Sequence, residues 1–195
     1  MKKILVLLFL LISFNANAWL WIEPYAGYDI AINTEVTGAD TSGITDLGYN
    51  GFVYGGRIGF AWKILLLGVD LNGMTGSSDI EISGTEYNQD VTKSNFGVFV
   101  GLNFDLTLIG FRAWVTYFFT NNLGFHNSDL SLTEAKGNGF GLGAGITFFK
   151  FLGLNFEYHF TSYDEFVYSD GTTDNDLEYK PSEIIISLSV PLNLF

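Results

Sequence analysis

Between Lys136 and Lys150, in the stretch KGNGFGLGAGITFFK, every second residue from 137 to 145 is glycine, and Phe140, Leu142, Ala144, Ile146 and Phe148 occupy the alternate positions. Period-two alternation is the geometry of an extended strand, whose side chains leave the backbone on opposite faces in turn. A nucleotide-binding loop is excluded by parity. The dinucleotide fingerprint needs glycines two and then three apart, and the phosphate loop needs glycines five apart followed by lysine. Glycines that all fall on odd positions satisfy neither. A flexible linker would lack the apolar alternation, so the segment is expected to be a strand with one face stripped of side chains.

Seven more segments alternate in the same way, giving eight at roughly 20–32, 51–62, 67–76, 94–104, 109–119, 137–149, 152–162 and 183–194. In the second, Phe52, Tyr54, Ile58, Phe60 and Trp62 share one face while Val53, Gly55, Arg57, Gly59 and Ala61 share the other. In the seventh, Leu154, Phe156, Tyr158 and Phe160 oppose Asn155, Glu157, His159 and Thr161. One face is apolar; the other mixes glycine with polar and charged groups and is poor in lysine, unlike a surface built for water. The links also alternate. Those near Lys63–Leu66, Asp105–Leu108 and Lys150–Phe151 are tight, whereas 33–50, 77–93, 120–136 and 163–182 read as long, polar, acidic loops. That is the pattern of an up-and-down meander whose two ends face different environments.

Hydrophobic residues make up 48% of the chain and its mean hydropathy is +0.26, yet its formal net charge is −12. No apolar run beyond Ala18 approaches the roughly 18 residues of a membrane helix. Alternation resolves the contradiction, because strands can present an apolar face to lipid. Backbone groups in a bilayer must all be paired, so such strands have to close on themselves. The expected fold is all-β, an eight-stranded antiparallel up-and-down transmembrane β-barrel.

The first 18 residues differ in kind. Lys2 and Lys3, the apolar run Ile4–Phe14 and the small-residue site Ala16-Asn17-Ala18 have the three parts of an export signal. Residues 1–18 are expected to be a signal peptide and 19–195 the barrel domain. Loss of Lys2 and Lys3 would leave 7 basic against 21 acidic residues, a net charge of −14. That balance argues against a nucleic-acid partner, whose phosphates call for clustered lysine and arginine. The absence of cysteine excludes disulfides and thiolate metal sites.

Aromatic residues gather toward both ends of the segments. Trp19, Trp21, Trp62, Phe104, Phe148 and Phe195 lie near the tight turns, and Tyr54, Tyr117, Phe119, Phe140, Phe160 and Tyr163 lie toward the long connections. Those on lipid-facing parity are expected to form two interfacial girdles. Phe149 has the opposite parity and is expected to plug the lumen.

With these features the chain resembles the small outer-membrane β-barrel proteins of Gram-negative bacteria, the superfamily of the OmpA transmembrane domain and the OmpX/Ail group. The resemblance is carried by the leader, by WIEPYAGYDI (21–30) as opening strand, by the hairpins YGGRIGFAWKILLLGVDL (54–71) and GFGLGAGITFFKFLGLNFEYHF (139–160), and by terminal Phe195. It implies an outer-membrane location and specifies architecture far more than biochemical role. The ending departs from the family pattern. Positions 193, 191, 189 and 187 are Asn, Pro, Ser and Ser, and the hydrophobic set instead shares parity with Leu194. Either the strand ends at Leu194 or a bulge shifts it.

Inward parity collects Glu23, Asp29, Arg57, Asp70, Arg112, Glu157 and His159. The interior of an eight-stranded barrel is just wide enough for side chains to fill it. Charges there must pair, because an unpaired buried charge costs several kcal/mol, on the order of 3–5. The expected arrangement is a charge network that plugs the lumen, with Arg57 and Arg112 bonded to Asp70, Glu157 and Glu23. The same residues would serve a gate if their pairs exchanged. His126 and Ser128, with Glu134 or Asp129, are a nominal match to the His-x-Ser pair of lipid A deacylases, but they fall in an apparent loop. The acid-rich stretch 163–183 lacks the spacing of a calcium loop, since Gly171 precedes Asp174 and Asp176, and reads as solvated.

The resulting expectation is a monomeric outer-membrane barrel, not an enzyme, with no cofactor or metal and no nucleic-acid partner. It would contact outer-membrane lipid and lipopolysaccharide, and would act through its loops on a surface ligand, in adhesion or envelope integrity. A small gated channel or porin for ions or apolar solutes is the alternative, and a lipid A-modifying enzyme the third reading.

Overall fold

The computed structural model describes residues 18–37, 44–82, 85–106, 108–126 and 132–194. The leader up to Asn17, Ser128, Asp129 and Phe195 lie outside the described residues. The strands are β1 (Ala18–Thr37), β2 (Ile44–Trp62), β3 (Leu65–Ile82), β4 (Thr85–Asp105), β5 (Ile109–His126), β6 (Leu132–Phe148), β7 (Leu152–Tyr168), the short β8 (Thr173–Asp174), β9 (Glu178–Ser189) and β10 (Leu192–Leu194). Each pairs antiparallel with the next from β1 to β8, and β9 and β10 return to β1 while β9 also pairs β7. Tyr25 faces Ser189 and Ile22 faces Leu192, so the register runs through Val190 and Pro191 without a shift. β9 and β10 are therefore one stave, and eight staves close the ring. No bulge lies between Ser189 and Leu194 to change the parity of the ending.

Closure fixes the tilt. From Ala18 the pairings lead through Trp62, Leu65, Leu102, Ala113, Ala144, Phe156 and Ile186 to Tyr28, ten residues further along β1. A ring that returns higher than it began requires strands inclined to its axis. The stagger is even, so a face that starts outside ends outside.

The closing seam is incomplete in one respect. Val190 N–H donates to the Pro24 carbonyl at 3.0 Å, and Pro24 has no N–H to return the bond. All three prolines of the chain, Pro24, Pro181 and Pro191, lie on the first and last staves.

The strands are longer than the alternation suggests. β1 has 20 residues, β4 has 21 and β7 has 17, whereas a bilayer crossing takes about 9–11. The segments expected as long loops are thus largely paired wall: Ile44↔Ile82, Ile82↔Thr85, Asp90↔His126 and Leu132↔Tyr168 all lie within them. The physical reason is an inverted pattern. Beyond the lipid belt, Tyr49, Met74, Val91, Leu123, Phe125, Ala135, Tyr163, Phe166 and Tyr179 point inward as one buried apolar cluster. Asp79, Asn88, Asp90, Thr92, Asp164 and Lys180 face outward in the same region. Register shifts at Ala31/Asn33, Phe118/Asn121 and Lys136/Gly137 exchange inward parity on β1, β5 and β7, which hides the inversion from a period-two reading.

The lower half has the opposite dress. Phe60, Leu67, Val100, Phe156 and Leu188 are each at least half exposed on the outer wall. Trp19 and Trp62 are exposed at the short-turn edge of this belt, and Tyr54, Phe119, Phe140 and Phe160 at the other. Trp21 and Tyr163 sit inside instead: Trp21 packs edge-on against Phe99 at 5.5 Å, and Tyr163 stacks on Tyr179 at 5.7 Å. Phe149 does not plug the lumen. It occupies a turn, with φ of 52°, and is exposed beside Phe151, because the strand ends one residue before it.

The bare face of β6 meets the lumen's bulk. Gly141 pairs with His159, Gly143 with Glu157 and Gly145 with Asn155. A Cβ on Gly143 would lie 2.1 Å from Cε2 of the Trp114 indole, so the absent side chain is the space that Trp114 fills.

Candidate functional site: the lumen charge network

Near the short turns, Trp21, Leu66, Phe99 and Trp114 form a buried apolar cluster inside the barrel. Above it, the Arg57 guanidinium binds Asp70 through Nε at 2.8 Å and Glu157 through Nη2 at 2.5 Å, with Glu23 at 3.7 Å. Adjacent staves deliver these groups: Glu23 faces Arg57, and Arg57 faces Asp70. Arg112 reaches Glu23 at 2.6 Å and donates to Asn155 Oδ1 at 3.0 Å. The Tyr25 hydroxyl donates to Asp70 at 2.8 Å and the Trp114 indole N–H to Glu157 at 3.3 Å. Both rings also lie under the guanidinium, at 4.6 and 4.4 Å from its carbon. Stacking on aromatic faces suits the weakly hydrated planar ion and supports its charge where water is excluded.

A second cluster lies further along the axis. Lys93 binds Asp29 at 2.5 Å and Glu183 at 2.7 Å, and the Tyr49 hydroxyl donates to the other Glu183 oxygen. His159 joins the two clusters, its Nε2 3.4 Å from Glu157 and its Nδ1 3.7 Å from Glu183. All these side chains are almost wholly buried. Counted together, three cations and the histidine face five carboxylates, Glu23, Asp29, Asp70, Glu157 and Glu183.

All seven residues that inward parity selects thus lie in the lumen, and Arg57 and Arg112 contact Asp70, Glu157 and Glu23. Asp29 and His159 belong to the second cluster, whose principal members Lys93 and Glu183 the selection omits. Lys93 falls at the edge of a segment that reads as loop, although its odd position matches Asn95, Gly97 and Phe99 on the inward face of β4. Glu183 is the first residue of its segment, where inward parity on Ile185, Ser187 and Ser189 was already available. His126 is the last residue of β5, not a loop residue, and its Nε2 lies 2.9 Å from Thr92 Oγ1 on the outer surface.

A closed ring with an apolar exterior, an ionic interior and short turns at one end defines an outer-membrane β-barrel. Solved structures of that class are similar to the chain. Neisserial surface protein A matches with a TM-score of 0.52 and 13% identity, over 90% of this chain and 99% of its own. Ail, the attachment invasion locus protein of Yersinia pestis, matches at 0.45 and 12% identity, over 89% and 99%. The outer membrane protease OmpT of Escherichia coli matches at 0.37 and 7%, over 91% and 96%. The likeness to Neisserial surface protein A is one of fold. No family model matches the chain, and no curated protein sequence does.

Proposed function

We propose that the protein acts at the cell surface, as an envelope or adhesion component that presents its exterior half to a ligand outside the cell. The observation that carries this reading is the filled lumen. Apolar side chains block it near the short turns, ion pairs fill its middle and nine buried residues pack its exterior half. A barrel closed at three levels leaves the outward-facing surface as the place for contact. The segments of this half are rich in acid and poor in lysine in the sequence, a balance that favours ligands that are cationic or reached through bridging cations, lipopolysaccharide among them.

In planar bilayers the protein should give no sustained conductance, and Arg57→Ala should not remove a signal. A steady conductance lost in Arg57→Ala would replace this reading by the gated channel. Shortening the β7–β9 connection between Tyr168 and Glu178 should reduce attachment of expressing cells to a surface ligand while the barrel still folds. Unchanged lipid A acyl number in cells expressing the protein, with or without His126→Ala, would separate this role from lipid A modification.

A further inference from the structure

The three non-glycine residues with left-handed backbone, among those described, all lie in short turns: Lys63 (φ 54°), Phe149 (52°) and Lys150 (66°). Phe149 and Lys150 are the central residues of a tight turn closed by Phe151 N–H to the Phe148 carbonyl at 3.2 Å. Two consecutive left-handed residues are the geometry that Asn-Gly or Gly-Gly normally supplies, and a bulky side chain is an outlier there. The chain therefore keeps an aromatic and a lysine at a tip where conformation alone favours neither.

The surroundings say what the tip meets. Phe149 N–H donates to the Leu108 carbonyl at 2.9 Å, so the β6–β7 turn is joined to the β4–β5 turn. Leu106, Leu108, Phe149 and Phe151 are 60%, 62%, 66% and 57% exposed. They continue the outer belt through Phe104, Ile109, Phe148 and Leu152, while the exposed Asp105 beside them accepts a hydrogen bond from Asn103 at 2.9 Å. A docking surface for a soluble partner would stand apart from the lipid belt; this one extends it. Charge separates the two ends of the molecule as well. The exposed lysines of the exterior half, Lys136 and Lys180, are bonded to Glu165 and Glu178. No ion pair involves Lys150 among the described residues.

We propose that the joined turns bind an anionic glycerophospholipid of the periplasmic leaflet, with Leu106, Leu108, Phe149 and Phe151 among the acyl chains and the Lys150 ammonium on the phosphate. Lys150 reaches back from an immersed backbone to the headgroup layer, as long cationic side chains do at membrane interfaces. The acids of the opposite end make the binding one-sided.

The test uses the full barrel refolded in phosphatidylcholine vesicles, with Phe151→Trp as a local reporter corrected for the four native tryptophans. Quenching is compared between brominated phosphatidylglycerol and brominated phosphatidylcholine. The expected result is an association preference for phosphatidylglycerol of about fivefold, the scale of one lysine at an anionic surface. It should fall to near parity in Lys150→Gln and at high salt. The double variant Phe149→Asn with Lys150→Gly, which suits the turn, should fold and also lose the preference. Equal quenching by the two lipids with Lys150 present, a preference that survives Lys150→Gln, or no quenching by either lipid would each overturn the proposal.

Discussion

Gly143 and Trp114 share one volume, and their relation can be measured. Gly143→Ala places a methyl within the indole and should destabilise the barrel by about 1–3 kcal/mol, the usual cost of overpacking. Adding Trp114→Phe, which removes the part of the ring nearest Gly143, should recover much of the loss in urea unfolding from vesicles. Purely additive losses would show that the two do not compete for space. Lys93 gives a second case. Lys93→Met leaves Asp29 and Glu183 buried without their cation and should cost about 3–5 kcal/mol, more than Lys93→Met combined with Glu183→Gln. At this scale the sequence is readable wherever parity holds without interruption. Arg57, Asp70 and Glu157 fall inside clean alternation, and their partners follow from strand order. Lys93 does not, because its own alternation fades into polar residues before the strand ends.

Strand length is the property least visible in the sequence. Alternation marks the part of each strand that meets lipid, since there the two faces differ most in polarity. Above that level both faces are short, polar or aromatic, and the bulges near Ile32, Phe119 and Asp164 break the period. Pairing continues because water on the outside and an apolar cluster on the inside still reward a sheet. This exterior half carries its own electrostatics. Glu178 is held below the ordinary glutamate range by Lys180, with Ser162 as a second donor, and Lys136 is raised by its bond to Glu165. A lowered glutamate stabilises the folded form above its unfolded pKa, and this is lost as pH falls through the folded value. A raised lysine does the reverse, losing its contribution as pH climbs through its folded value. Hydrogen-exchange protection around Tyr163 and Tyr179, corrected for intrinsic rates, should therefore decline on the acid side of the glutamate range. Glu178→Gln should abolish that decline; an identical decline in the variant would assign it elsewhere.

As a whole the molecule is two barrels on one axis with opposite dress, apolar outside and ionic inside below, polar outside and apolar inside above. Fold class, strand number and the bilayer environment are legible from alternation, because closure follows from backbone pairing in lipid. The stacked second barrel is not, since its parity changes on β1, β5 and β7 and holds on β3, β4 and β9. If the exterior half is held by its own core, trypsin added to intact vesicles should spare the strands above the belt. Rapid cleavage after Lys93 or Lys136 would mean that this half is loose.

The seam between first and last staves has one further meaning. Every other junction in the ring is made by neighbours along the chain, which a short tether brings together at little entropic cost. This one joins residues as far apart as Leu20 and Leu194, and at Pro24 it carries one bond where two would fit. A ring built from a thread has a clasp, and at Pro24 this one is a bond short. Force applied between the two ends of the chain should part the wall along Pro24 and Val190 before any hairpin yields, and assembly should finish where that parting begins.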